Sequence, residues 1–159
     1  TIFLIPKHLF RLQMEVSKEV PAVGYGSARV RHSGDDVTVV AWGNCIEFAL
    51  AAASELVNEA SVDVIDLRSI VPWDRGAVIA SLEKTGRLVV VQEDGVSGSV
   101  GQMIVSEMVG DPDTWTLFYS APQLVAKPDV HIGFNPVYEN AALPVTQDIV
   151  DAIRLTLED

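Results

Sequence analysis

Apolar positions along this chain fall into two alternating patterns. Nearly continuous β-branched runs occupy 37–42, 62–67 and 88–91. Such runs suit strands covered on both faces, because a half-wet strand would alternate apolar with polar. Stripes at helical spacing follow each run. Ile46, Ala49, Ala53, Leu56 and Ala60 form the first, Val78, Ile79 and Leu82 the second. Val100, Ile104 and Met108 lie inside a helix predicted over 98–109, and Val145, Ile149, Ile153 and Leu157 inside one over 144–157. Shorter strands are predicted at 1–5, 28–31, 115–119 and 123–126, with a turn at Ser33, Gly34 and Asp35.

Turn and cap residues sharpen these boundaries. Pro6 ends the first strand. Gly43 and Asn44 turn the chain, and Asn44 with Glu47 three residues on reads as a capping pair. Asp74, after Pro72, reads as an N-cap, and Gly86 as a left-handed helix end. The order strand, helix, strand, helix predicts an α/β fold: three layers, a mostly parallel sheet, helices on both faces. Residues 12–27 show no period and are punctuated by Pro21, Gly24 and Gly26, so they read as a linker. The main domain is expected over 28–159.

A length of 159 residues and a hydrophobic fraction of 48% suit one domain with its own core. Mean hydropathy is +0.26. The chain starts without Met and almost inside a strand, so it is expected to be part of a longer polypeptide. The apolar start is short and lacks a basic flank, so no signal peptide is expected. The formal net charge of −11 disfavours nucleic acid and anionic membranes and suits a basic partner. Cys45 is the only cysteine, which excludes an internal disulfide and any multi-cysteine metal site. It sits on a predicted helix among small apolar residues and is expected to pack there.

Few residues invite a chemical reading. The glycines at 95, 98 and 101 have neither dinucleotide nor Walker spacing, and Glu93 and Asp94 just before them would oppose a phosphate. A tight strand-to-helix passage is expected instead. Glu93 and Asp94 stand at a strand's carboxyl end, where open α/β sheets bind ligands. As neighbours on a strand they point to opposite faces, so solvated or capping roles are expected. His8, His32 and His131 lack ligand spacing. Trp42 and Trp73 are expected as core anchors. No Ser-His-Asp grouping has a nucleophile elbow.

Two blocks carry a resemblance. Ile65-Asp66-Leu67-Arg68-Ser69-Ile70-Val71-Pro72-Trp73-Asp74 and the segment from Lys84-Thr85-Gly86-Arg87-Leu88 to Gln92-Glu93-Asp94 resemble the C-terminal domain of the β subunit of thiamine-diphosphate-dependent 2-oxo acid dehydrogenases, a relative of the transketolase C-terminal domain. Further likeness lies in Pro6-Lys7-His8-Leu9-Phe10-Arg11, Ala41-Trp42-Gly43, Glu93 to Ile104, Ala121-Pro122, Pro128-Asp129-Val130, Pro136, Glu139 and Leu143-Pro144. Ile5, Gln92, Ser99, Ser120 and His131 depart from it. The Pro72-Trp73-Asp74 wording leans toward the branched-chain type over the pyruvate type.

The resemblance implies a division of the chain. Residues 1–11 would be the tail of a preceding pyrimidine-binding domain, 12–27 a linker, and 28–159 the transketolase C-terminal-like domain. It implies a parent that oxidatively decarboxylates a 2-oxo acid with thiamine diphosphate and magnesium and passes the acyl group to a lipoyl arm. The family's Gly-Asp-Gly and Asn-Asn cofactor motifs are missing here. No residue of this chain is therefore assigned a catalytic, cofactor-binding or metal role, and the fragment alone is expected neither to bind the cofactor nor to turn over. Implied partners are an α subunit or α-like domain, a homo-oligomer partner, and the basic subunit-binding domain of a transacylase core. The implied location is the cytoplasm, or the mitochondrial matrix in a eukaryote. The alternatives are the C-terminal domain of a transketolase or deoxyxylulose-phosphate synthase, or a stand-alone flavodoxin-like module.

Overall fold

The computed structural model describes residues 1–6, 10 and 23–158. Among these residues five strands, β1 (Arg29–His32), β2 (Val37–Ala41), β3 (Val62–Asp66), β4 (Leu88–Gly95) and β5 (Gln123–Lys127), form one sheet in the order β1-β3-β2-β4-β5. The pairs β2·β3, β2·β4 and β4·β5 are parallel, and β1 adds to β3 antiparallel at the edge. Helices α1 (Cys45–Glu55), α2 (Arg75–Thr85), α3 (Val100–Gly110), α4 (Pro112–Trp115), α5 (Pro136–Ala142) and α6 (Thr146–Leu157) fill the connections.

Successive strand residues point to opposite faces, and both faces are dry. Val39, Val64 and Val91 pack with Ala49 and Ala53 of α1 and with Ile149 and Ile153 of α6. Val40, Ile65 and Val90 pack on the other side with Val78 and Leu82 of α2 and with Ile104 and Met108 of α3. This is the expected three-layer α/β architecture.

Asp74 is an N-cap as expected, and it has a second task. Its Oδ1 accepts from the Ala77 amide at 3.0 Å, while Oδ2 accepts from the Ala28 amide at 2.8 Å. One carboxylate thus starts α2 and anchors the entry to β1. Buried Asp63, at the amino end of β3, accepts from Ser81 Oγ at 2.5 Å, the Gly34 amide at 3.2 Å and Lys84 Nζ at 3.2 Å. Thr38 Oγ1 bonds Ser81 Oγ at 2.6 Å and Thr85 Oγ1 at 2.7 Å. Buried polar groups are tolerated when partnered like this, and the network ties α2 to the sheet's amino end.

Several expectations are corrected. Residues 1–5 make no strand: all are exposed and the described sheet does not include them. Apolarity alone cannot hold a strand that lacks a ladder neighbour. Residues 115–119 are not a strand either. Asp111 caps α4, accepting from the Asp113 and Thr114 amides, and Pro112 takes its first turn. That helix-start chemistry outweighs the aromatic content of the segment. Asn44 makes no side-chain cap and is itself helical, at φ −65° and ψ −28°. Pro144 precedes α6, and α5 appears where no helix was read. α5 is short and mostly exposed, so it leaves no apolar stripe. Trp42 and Trp73 are half-buried at the edge of the second core; Trp73 Nε1 donates to Glu107 at 3.2 Å. The expected linker lies outside the described residues over 12–22, as do Lys7, His8, Leu9 and Arg11.

Gly86 ends α2 at φ 66°, as expected. A Cβ there would fall 2.2 Å from the Tyr119 ring, and the Tyr119 amide donates to the Gly86 carbonyl at 2.8 Å. Gly86→Ala should lower unfolding free energy by about 1–3 kcal/mol, from left-handed strain plus ring displacement. Denaturant melts of Gly86→Ala with and without Tyr119→Ala check this. The pair should be less than additive, and additive losses would show that the ring contact contributes nothing.

Candidate functional site

The connection from β2 runs through α1 to β3, and the next passes back over β2 to reach β4. The chain therefore reverses direction between β2 and β4. Open α/β sheets hold ligands in the crevice outside the carboxyl ends at such a point. Gly43 permits the turn there at φ 58°. Asn44 Nδ2 donates to both Glu93 oxygens, at 3.4 and 3.2 Å. A crevice of about 220 Å³ opens beside this pair. Phe48, Leu143, Pro144 and Val145 supply apolar walls, and Glu47 and Glu93 supply carboxylates. Sequence reasoning found Glu93 but missed the crevice, because its far wall comes from the α5–α6 loop.

Cys45 starts α1 behind this rim and is buried, as expected. Burial, with the Glu93 carboxylate adding to it, pushes the thiol up from 9.0 to about 12. It stays protonated at neutral pH and is no nucleophile.

The glycine-rich passage is a packing device. Gln92 is fully buried; its Oε1 accepts from the Gly101 amide at 2.7 Å and its Nε2 donates to the Gly95 carbonyl at 2.9 Å. A Cβ on Gly101 would meet Leu124 at 2.5 Å and Gln92 at 2.8 Å. Ser99 caps α3 by accepting from the Gln102 amide. The Gly98 amide goes to Gln102 Oε1 at 2.8 Å, and the Ser97 amide to Asp129 at 3.3 Å. The Gly98, Gly101 and Gln102 amides are thus engaged within the passage. Asp94 Oδ1 accepts from the Gly95 amide at 2.7 Å, a local turn contact.

The segment after β5 is tied to this passage. Ser97 Oγ donates to Asp129 at 2.5 Å, and Lys127 Nζ donates to the Pro128 and Val130 carbonyls at 2.9 and 2.8 Å. The Ser97 hydroxyl, then its amide, and the Lys127 charge hold the Asp129 carboxyl below its usual range. Val130, Ile132, Phe134, Val137 and Tyr138 beyond it are exposed, Phe134 completely. These residues together make an exposed apolar surface. His131 is exposed within it, His32 Nδ1 contacts the Val62 carbonyl at 2.6 Å, and His8 lies outside the described residues. Among the described residues no group of three or more His, Cys, Asp or Glu side chains could hold a metal, and no helix is long and apolar enough to cross a membrane. Ser120 Oγ is buried without a hydrogen-bond partner.

Fold and crevice define a doubly covered α/β domain with an open carboxyl edge. Residues 26–149 match the family model of the transketolase C-terminal domain, and the chain belongs to that family. The pyruvate dehydrogenase E1 component subunit beta of Staphylococcus epidermidis is 36% identical over 160 residues, covering 99% of this chain and 48% of that protein. The same subunit of Staphylococcus aureus matches at 36% with the same coverage. The chain thus spans about half the length of the curated relatives it matches. A solved structure, a split gene transketolase described as an inactive beta4 tetramer, superposes with a TM-score of 0.73 at 28% identity, covering 86% of this chain and 44% of that one. The resemblance read from 65–74 and 84–94 is borne out.

Gln92→Leu would orphan one buried amide and one carbonyl. It should cost about 2 kcal/mol or more, with the Gly101 amide losing its hydrogen-exchange protection first. Exchange rates unchanged at Gly101 would show that the clamp does not hold the passage.

Proposed function

We infer that this chain is the C-terminal domain of the β part of the decarboxylating component of a 2-oxo acid dehydrogenase complex. The observation that carries the reading is 36% identity to E1 beta subunits along 99% of the chain. On this reading, 28–159 braces subunits, 12–27 is a linker and 1–11 ends a pyrimidine-binding domain. The parent decarboxylates a 2-oxo acid in the cytoplasm. The relatives are named for pyruvate, while the Pro72-Trp73-Asp74 wording leans to branched-chain substrates, so the proposal is the 2-oxo acid class.

Thiamine diphosphate with magnesium supplies the parent's carbanion chemistry. The described donors do not suit that group. Its crevice is acidic, and its glycine-passage amides are already engaged. The cofactor is therefore assigned to other parts of the parent. This domain contributes an exposed apolar segment over 130–138 for an α subunit or second β chain, and an acidic surface for the basic subunit-binding domain of a transacylase core. A second reading, the same domain of a split transketolase, is favoured only by the structural likeness at 28% identity.

Two measurements test this division of labour. Titration calorimetry of the chain with thiamine diphosphate and magnesium should show no saturable heat, and tight binding would reject it. The parent β chain should bind a basic subunit-binding domain with an affinity that falls as salt is raised. Association indifferent to salt would remove the electrostatic docking role.

A further inference from the structure

The apolar segment over 130–138 is not held in place by burial. From Pro128 to Ala141 every residue except Gly133 is exposed, and the next buried residue is Ala142. Polar contacts hold its start instead. Lys127 ends β5, and its Nζ bends the chain by donating to the Pro128 and Val130 carbonyls at 2.9 and 2.8 Å. The Val96 amide donates to the Lys127 carbonyl at 2.9 Å. Asp129 then reaches across to the glycine passage. Its Oδ1 accepts from the Ser97 amide at 3.3 Å and its Oδ2 from the Ser97 hydroxyl at 2.5 Å. Two donors on one carboxylate fix direction as well as distance. Beyond this point the segment closes on itself. A Cβ on Gly133 would fall 2.6 Å from Tyr138 Cβ, and Asn135 caps α5 by accepting from the Val137 amide at 2.9 Å. Residues 130–138 thus form a small flap with Asp129 at its root.

We propose that Asp129 is a positioning residue for this surface: it latches the flap to Ser97 and so presents Phe134, Val137 and Tyr138 to a partner chain in one preset arrangement. The inference rests on the assembly role proposed above and adds the residue that governs it. A flap free to move would lose affinity to the cost of ordering it, whereas a latched flap is ordered before the encounter. Both anchors of the latch sit on regular structure. Ser97 lies between β4 and Ser99, the cap of α3, and Lys127 closes β5. The Ser97 hydroxyl, its amide and the Lys127 charge also keep the Asp129 carboxyl ionised through the neutral range, the form that accepts both bonds.

The first test is a nuclear magnetic resonance relaxation measurement on the chain. Backbone order parameters over 130–134 should fall from about 0.85 in the unaltered chain to below about 0.6 in Asp129→Ala. Ser97→Ala should loosen the same residues less, and the double variant no more than Asp129→Ala alone. Asp129→Asn keeps an oxygen that accepts from Ser97 and should recover most of the order. Ser97→Glu sets like charge against Asp129 and should loosen the flap at least as far as Ser97→Ala. Unchanged order in Asp129→Ala, no recovery in Asp129→Asn, a tighter flap in Ser97→Glu or further loosening in the double variant would overturn the latch. Ser97 and Asp129 are both exposed, so melting midpoints should not move. A lowered midpoint in Asp129→Ala would mark a general structural role and overturn the positioning one. The second test is assembly of the parent β chain with its α subunit, followed by sedimentation, which also reads pairing of β chains. Asp129→Ala should weaken assembly roughly tenfold, with Asp129→Asn close to the unaltered affinity. Phe134→Asp removes apolar surface and spares the latch, so assembly should weaken with order unchanged. Normal assembly of the loosened Asp129→Ala chain, beside impaired assembly of Phe134→Asp, would overturn the positioning role alone. Normal assembly of Phe134→Asp would overturn the assembly role of the surface, and the positioning role with it.

Discussion

Strands β2, β3 and β4 must be dry on both faces, and the rest of the molecule answers to that constraint. Val39 and Val40 point opposite ways and both are fully buried, so neither face can be left open. α1 and α6 cover one side and α2 and α3 the other. Helices can reach both sides only if successive connections diverge somewhere, and they diverge between β2 and β4. The crevice is thus a by-product of covering the sheet twice. Its chemistry depends on which residues end those two strands.

The two ends of the sheet use polar residues differently. At the amino end, Asp63, Ser81, Thr38, Thr85 and Lys84 satisfy one another in a buried network. At the carboxyl end, Asn44 and Glu93 pair at the rim with capacity to spare. A partnered network fixes structure, because breaking any member leaves a buried polar group exposed to no water. A rim pair costs little when disturbed, which leaves that edge free to differ in charge and shape. Gln92 lies between these regimes. It is buried as deeply as a core valine, yet it holds the glycine passage by two directional bonds.

Much of this was legible in the residues alone. The apolar runs predicted the three central strands, and the stripes of α1 and α6 marked faces that are indeed buried. Asp74 and Gly86 were read correctly because their roles are local: a carboxylate three residues before an amide, and a residue that tolerates positive φ. Asn44 was misread for the opposite reason. Its local pattern fits a cap, but its backbone is helical rather than in the extended conformation that aims Oδ1 at the first-turn amides, while its Nδ2 donates to Glu93, 49 residues away. Residues 1–5 look like a strand by composition, and a strand also needs a neighbour. α5 was missed because a short exposed helix carries no stripe, leaving only Asn135 and Pro136 as its start signal. The Glu93 end of the crevice was visible as a strand terminus. Its other wall, Leu143 to Val145, could not be, since nothing in sequence spacing brings a loop 50 residues downstream onto α1.

The net charge of −11 acquires a location from the fold. At the amino edge, Lys84 lies 3.2 Å from Asp63, and Arg154 of α6 grips Glu59, in the turn after α1, at 2.9 Å. Those pairs neutralise acid where helices meet. At the carboxyl edge, Glu47 and Glu93 line the crevice and Asp94 follows Glu93 in the chain. Carboxylates therefore line the crevice, and the 130–138 segment beyond β5 is exposed and apolar. Apolar surface alone would bind indiscriminately, and carboxylates alone would bind any cation weakly through water. Together they suit a partner that carries both an apolar face and a positive charge.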